Sequence, residues 1–241
     1  MLPPKIFVSN LSLAPRGMER ALEIIVDAQL DGFQQTPLWW WRKPWKKFNP
    51  TLIASIEPPF WDRHQSLSDI LEQAKCEDDM IGTIAGLLLF GFGGWCRTDA
   101  AVKALPGALP CDCKCQNSLL ETSPRNTIYP TDYLTHPNGV VLDTRHIGEY
   151  VPGPIKIAAD PVELTKELLD ADQIKLVHVQ LRDQADIDEF LQDKGLSHTL
   201  MTLVGEYHCQ ASVVIELDPR RLLRRPAVKL QKLAEHIRSY Y

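Results

Sequence analysis

Short apolar runs alternate with amphipathic stretches along this chain, the pattern of βα units laid against a parallel sheet. Eight runs predict strands: Lys5–Leu11, Gly32–Thr36, Leu52–Ile56, Leu87–Phe92, Ser118–Glu121, Val140–Asp143, Ile174–Leu181 and Ser212–Leu217. Helices are predicted over Gly17–Leu30, Ser66–Cys76, Thr98–Leu105, Pro161–Leu169 and Asp186–Asp193, with a terminal helix over Pro226–Tyr240. Two of these starts carry a cap. Ser66 precedes Leu67, and Asp160 precedes Pro161, whose missing N–H costs nothing in a first helical turn.

Eight strands interleaved with helices predict an α/β fold, a compact (β/α)8 TIM barrel near the lower size limit of that architecture. An open doubly wound sheet would place a glycine-rich phosphate turn after its first strand. Ser9-Asn10-Leu11-Ser12-Leu13 holds no glycine there, and Gly91–Gly94 lies too far along the chain. Proline, asparagine and threonine in Pro124–Asn138 predict a loop in place of the helix between the fifth and sixth strands. With no internal repeat, low-complexity tract or linker, one barrel domain over residues 1–241 is expected, closing with a basic helix over 226–240.

Composition narrows the class. With 44% hydrophobic and 24% charged residues, the chain can bury a sizeable core, which excludes disordered and collagen-like classes. The longest apolar run, Ile81–Phe92, falls short of the ~18 residues of a membrane helix and is broken by glycine, so no membrane partner is expected. The N-terminus has no charged leader followed by an apolar stretch and a small-residue cleavage site, which predicts a cytoplasmic protein. Six cysteines in 241 residues make no disulfide framework, and the alternating Cys111, Cys113 and Cys115 lack a second ligand group nearby. The net charge of -5 is uneven: Leu217–Tyr241 carries seven Lys or Arg against two Asp or Glu, a local +5 that leaves -10 elsewhere. A basic tail of this kind reads as a solvated helix face, and nucleic acid is not the expected partner.

Candidate chemistry follows from strand ends, because a barrel builds its functional face where the strands terminate. Four apolar runs end in polar groups: Leu119-Leu120-Glu121, Val141-Leu142-Asp143, Leu176-Val177-His178 and Val214-Ile215-Glu216. The intervals of 22, 35 and 38 residues are βα-unit lengths, so successive strands aim all four at one rim. Three carboxylates and an imidazole suit one divalent ion, Mn, Zn or Mg, since the carboxylates repel one another unless a cation neutralises them. His146, three residues past Asp143, is placed to ligate or to bind a substrate oxygen; His198 is a weaker candidate of the same kind.

Asp143-Thr144-Arg145-His146, the later Val177-His178-Val179-Gln180-Leu181-Arg182-Asp183 and the closing Val214-Ile215-Glu216 resemble the xylose isomerase-like barrel superfamily, which holds sugar isomerases and epimerases together with apurinic endonucleases. The likeness begins at Ser55-Ile56-Glu57-Pro58-Pro59-Phe60, similar to the family's third strand, which places Glu57 at the substrate rim. It implies that Glu121, Asp143, His178 and Glu216 ligate one divalent ion. It also implies that Glu121 and Glu216 form the acid/base pair on either face of the carbon whose proton moves. Arg182, from the same unit as His178, would anchor a substrate carboxylate or phosphate. The implied activity is metal-dependent isomerisation or epimerisation of a sugar, sugar phosphate or keto acid through an enediolate.

Two alternatives stand beside it. A phosphodiesterase like the apurinic endonucleases would need histidines at the ends of the third and fourth strands, where the chain reads Ile56-Glu57-Pro58 and Phe90-Gly91-Phe92. A non-catalytic ligand- or partner-binding barrel would use the segment Trp39–Phe48, with five aromatics and four cations in ten residues. That segment follows the second strand, and three adjacent tryptophans cannot all point inward. Trp39 and Trp41 are therefore candidates for a substrate-pocket wall, with an oligomer contact as the other use.

Overall fold

The structure, a computed structural model, describes residues 3–14, 16–35, 53–56, 102–104, 118–122, 131–136, 139–149 and 160–241. It is an α/β fold. The elements follow in the order β1 (Ile6–Ser9), α1 (Asn10–Leu13), α2 (Met18–Asp27), β2 (Gly32–Gln35), β3 (Ile53–Ile56), β4 (Val102–Ala104), β5 (Ser118–Glu121) and α3 (Thr131–Leu134). Then come β6 (Val140–Asp143), α4 (Pro161–Asp170), β7 (Ile174–Leu181), α5 (Gln184–Leu191), α6 (Gly195–Glu206), β8 (Ser212–Leu217) and α7 (Pro226–Arg238).

The strands neighbour one another in chain order, and β8 pairs back onto β1. Parallel ladders join β1 to β2, β2 to β3, and β5 through β6 and β7 to β8. The exception is β4, antiparallel to β3 through a single residue pair, Ile56 with Ala104, and antiparallel to β5 through three. A strand at this place corrects the helix expected over Thr98–Leu105. Val102-Lys103-Ala104 alternates apolar and polar positions, and a ladder partner in β5 decides between the two periods. The expected strand Leu87–Phe92 and helix Ser66–Cys76 lie outside the described residues.

Strand parity divides the core into two clusters. Ile6, Val8, Val140, Leu142, Val177, Val179, Val213 and Ile215 face outward under the helices. Phe7, Val141, Leu176 and Val214, one each from β1, β6, β7 and β8, form a separate cluster on the inner face. Because side chains alternate, the next inward positions toward the strand ends are Ser9, Asp143, His178 and Glu216. The apolar layer is therefore the floor on which the candidate site stands.

The helices begin where the sequence supplies caps. Asp160 accepts from the backbone N–H groups of Val162 and Glu163 ahead of α4, and Asp183 with Asp186 forms a capping box on α5. Two corrections concern connections. Within Pro124–Asn138, expected to be a loop, Thr131–Leu134 forms one helical turn whose Tyr133 is buried. The whole of α6 was not expected: glycines sit near both of its ends and its polar face carries a single carboxylate, Glu206, which hides its period. Its buried Leu200, Met201 and Val204 supply the packing face, against α4 and α5. The terminal helix lies against α2. No described helix is long and apolar enough to cross a membrane.

Candidate functional site

Register places the four strand-end residues side by side. Asp143 is the ladder partner of His178, and Glu216 is the partner of Gln180, two residues further on from His178. Glu121 ends β5 beside β6. Glu121, Asp143 and His178 are all buried, and a ligand atom from each lies within 4.8 Å of the others. The Glu216 side chain retains 18% of its exposure.

Asp143 is the hub. Its Oδ1 accepts the backbone N–H groups of Arg145 at 3.0 Å and His146 at 2.8 Å, a local Asx turn that swings the chain into the His146–Gly148 3-10 turn. Its Oδ2 lies 2.9 Å from His178 Nδ1. Its own N–H donates to Thr122 Oγ1 at 2.9 Å, which ties β6 to the residue following Glu121. The turn returns His146 to the group, with Nδ1 2.7 Å from Glu121 Oε1 and 3.6 Å from Asp143 Oδ2.

His178 stands between two carboxylates, with Nε2 2.9 Å from Glu216 Oε2. A neutral imidazole has one N–H and one lone pair. In a neutral His178, donation from Nδ1 to Asp143 turns the Nε2 lone pair toward the Glu216 side, where it could ligate a cation. Asp143 as the orienting partner of a ligand-bearing histidine is a common device of metal sites. Gln180 Nε2 donates to Glu216 Oε1 at 3.0 Å and holds that carboxylate in place. Burial alone would lower the pKa of His146; the hydrogen bond to Glu121 and the charges of Asp143, Glu121 and Glu149 outweigh it and raise the value above that of an ordinary imidazole.

The residues present fit a divalent ion. Bonds of ~2.0–2.6 Å require donor atoms no more than about 4–5 Å apart, which the buried Glu121, Asp143 and His178 satisfy. Three carboxylates in one small volume repel each other, and the ion-pair partners described for them are the imidazoles of His146 and His178.

The other expected site residues divide. His146 joins the group. Arg182 does not: it is exposed, and its backbone N–H donates to Asp186. His198 does not join the group either. It lies on α6 with Nδ1 2.9 Å from the hydroxyl of Tyr240, past the end of the terminal helix, and 3.6 Å from Asp193, rather than at the strand ends. Trp39, Trp41, Glu57, Cys111, Cys113 and Cys115 lie outside the described residues. Gln180, Ser9 and Gln34 went unforeseen; Ser9 and Gln34 are fully buried ladder partners near the ends of β1 and β2. Their signal was parity, since each stands two residues after an inward position. A cavity of about 310 Å³ opens beside Gln180 between Thr144, Arg145, Phe190, Leu196 and Ser197. Compared with protein-family models, curated proteins and solved structures, the chain matches none.

Proposed function

We propose that the chain is a (β/α)8 barrel of the xylose isomerase-like kind and a divalent-metal-dependent isomerase or epimerase of a sugar, sugar phosphate or keto acid. The observation that carries this reading is the buried convergence of Glu121, Asp143 and His178 with Glu216 on the far nitrogen of His178. The chain-order sequence of strands, with β8 beside β1, supports the barrel.

Glu121, Asp143, His178 and Glu216 would hold the ion. When bound, Mn, Zn or Mg supplies positive charge that stabilises negative charge developing on a substrate oxygen. The protein's own groups do the rest. Glu121 and Glu216 come from strands on opposite sides of the β6–β7 pair, so a carbon held between them meets a carboxylate on each face. Glu216, less buried and fixed by Gln180, takes the proton from one face. Glu121, against His146 and carrying a second proton, delivers that proton to the other face, and the imidazole then holds the charge of the carboxylate that is left, so that Glu216 ends with a proton and Glu121 without one. Asp143 positions His178 and the turn that carries His146.

The test is exchange of a carbon-bound substrate proton with solvent deuterium, across ketoses, their phosphates and keto acids in the presence of Mn, Zn or Mg. Exchange that Glu216→Gln abolishes is the expected result. Cleavage of an abasic-site oligonucleotide without any exchange would replace this reading with the phosphodiesterase. Neither activity, with no metal bound, would leave a ligand-binding barrel.

A further inference from the structure

After Glu216 the chain leaves β8 through Asp218 and the 3-10 turn Pro219–Leu222, which is pinned by the fully buried Leu222. Of the arginines around the strand ends here, Arg220 and Arg145 are already satisfied. Arg220 is locked onto Asp218, its Nε 2.9 and 3.1 Å from the two carboxylate oxygens. Arg145 meets Glu149 at 3.3 Å and Asp186 at 3.4 Å. Arg221 differs. It is half-buried, its Nε is shut off from solvent without a hydrogen-bond partner, and among the described residues no carboxylate lies within ion-pair distance of it.

More positive charge gathers on the same turn. Lys229 Nζ donates to the Arg221 carbonyl at 2.7 Å, and Arg16 donates to the carbonyl of Leu222. Arg221 also reaches electrostatically across to the end of β7. The Asp183 carboxyl is held below its usual range first by the N–H of Asp186, then by that of Ala185 and by the charges of Arg221 and Arg145. Arg145 and Arg221 thus both bear on the residues that follow β7, from the β6 and β8 sides. A guanidinium whose buried Nε–H goes unmet is rare without a ligand to meet it. Its planar fork is shaped for a carboxylate or a phosphate.

We propose that Arg221 anchors an anionic group, phosphate or carboxylate, on the non-reacting end of the substrate handled by the Glu121–Asp143–His178 centre. This rests on the proposed metal-dependent reading. It moves the anion anchor from Arg182, which points to solvent, to the β8 connection. Substrates carrying a phosphate or carboxylate are then preferred over their neutral counterparts, and the preference sits in KM rather than in the proton-transfer step.

The test titrates the full chain, as purified and again after EDTA, with inorganic phosphate and separately with gluconate. Binding is followed by calorimetry and, for phosphate, by phosphorus NMR. One anion is expected to bind at one site with an affinity that survives EDTA and that Arg221→Gln weakens by ~10-fold or more. Arg182→Gln should leave that affinity within ~2-fold, and Arg221→Lys, which keeps charge but loses the fork, should weaken it by ~3-fold or more. The Lys variant decides the matter should Arg221→Gln fail to fold. Phosphate binding with no gluconate binding assigns a phosphorylated substrate, and the reverse assigns a sugar acid. No binding of either anion, binding lost with EDTA, or equal affinity in the Arg221 variants would overturn the proposal. Because these readouts need neither metal nor turnover, a failure of the metal site leaves them unchanged and speaks only against the reaction.

Discussion

Replacing Asp143 by alanine removes the acceptor of three donors at once: the N–H groups of Arg145 and His146 and Nδ1 of His178. The side chain is fully buried, so water cannot take over all of these bonds without opening the site. Each unmet buried donor costs about 1–3 kcal/mol, and relief of repulsion from Glu121 offsets part of the total, which leaves a loss of about 3–6 kcal/mol. For a chain of this size about 2–4 °C accompanies each kcal/mol, so the melting temperature should fall by roughly 6–24 °C. Asp143→Asn keeps an oxygen for the two backbone donors and disturbs only the pairing with His178, for about 1–2 kcal/mol. Urea denaturation in EDTA measures both variants free of any contribution from metal binding. An alanine variant no less stable than the asparagine variant would refute the assignment of Asp143 as the residue that holds both the turn and the imidazole.

Three further outcomes follow from the geometry. Glu216→Gln keeps the hydrogen bond from Gln180 within reach of its amide oxygen, so circular dichroism should show an intact fold while proton exchange falls by ~10²-fold or more; residual exchange near the wild-type rate would remove Glu216 from the acid/base pair. Gly205 lies on α6 under the last turn of the chain, and a methyl group there would overlap the carbonyl of Tyr240. Gly205→Ala should therefore destabilise by about 1–3 kcal/mol despite alanine's better helix propensity, and a rise in melting temperature would contradict that packing. The Asp218 carboxyl is pulled from its ordinary value of 3.8 to about 2, chiefly by the Arg220 guanidinium. A depressed folded-state pKa stabilises above the unfolded value and is lost as pH falls through the folded one. The melting-temperature gap between wild type and Asp218→Asn should thus be present at neutral pH and close between about pH 4 and 2; a gap that widens on acidification would reverse the sign of the pairing.

Four strands, β5 to β8, begin and end where the hydrophobic pattern places them, because each is an apolar run bounded by a polar residue that the sheet needs at its rim. The same feature made Glu121, Asp143 and His178 legible: an acid or imidazole closing an apolar run has few places to point in a parallel sheet. What the sequence hid was relational. Gly195 and Gly205 near the ends of Gly195–Glu206 and a polar face with Glu206 as its one carboxylate concealed α6, whose period shows only once Leu200, Met201 and Val204 have something to pack on. Val102–Ala104 is a strand because β5 pairs with it, not because its own residues demand one. Arg182 and Arg221 could not be told apart along the chain, since both are arginines just past a strand; only burial separates them. His198 reads as a site histidine until Tyr240, 42 residues later, takes its Nδ1.

The central claim is that Glu121, Asp143, His178 and Glu216 hold one divalent ion, and a crystal grown in Mn and measured for anomalous scattering tests it most directly. One anomalous peak within ~2.0–2.6 Å of oxygen atoms of Glu121, Asp143 and Glu216 and of a ring nitrogen of His178, absent from Glu121→Gln crystals, is the predicted result. No peak at these strand ends, or a peak at another place that persists in Glu121→Gln, would contradict it.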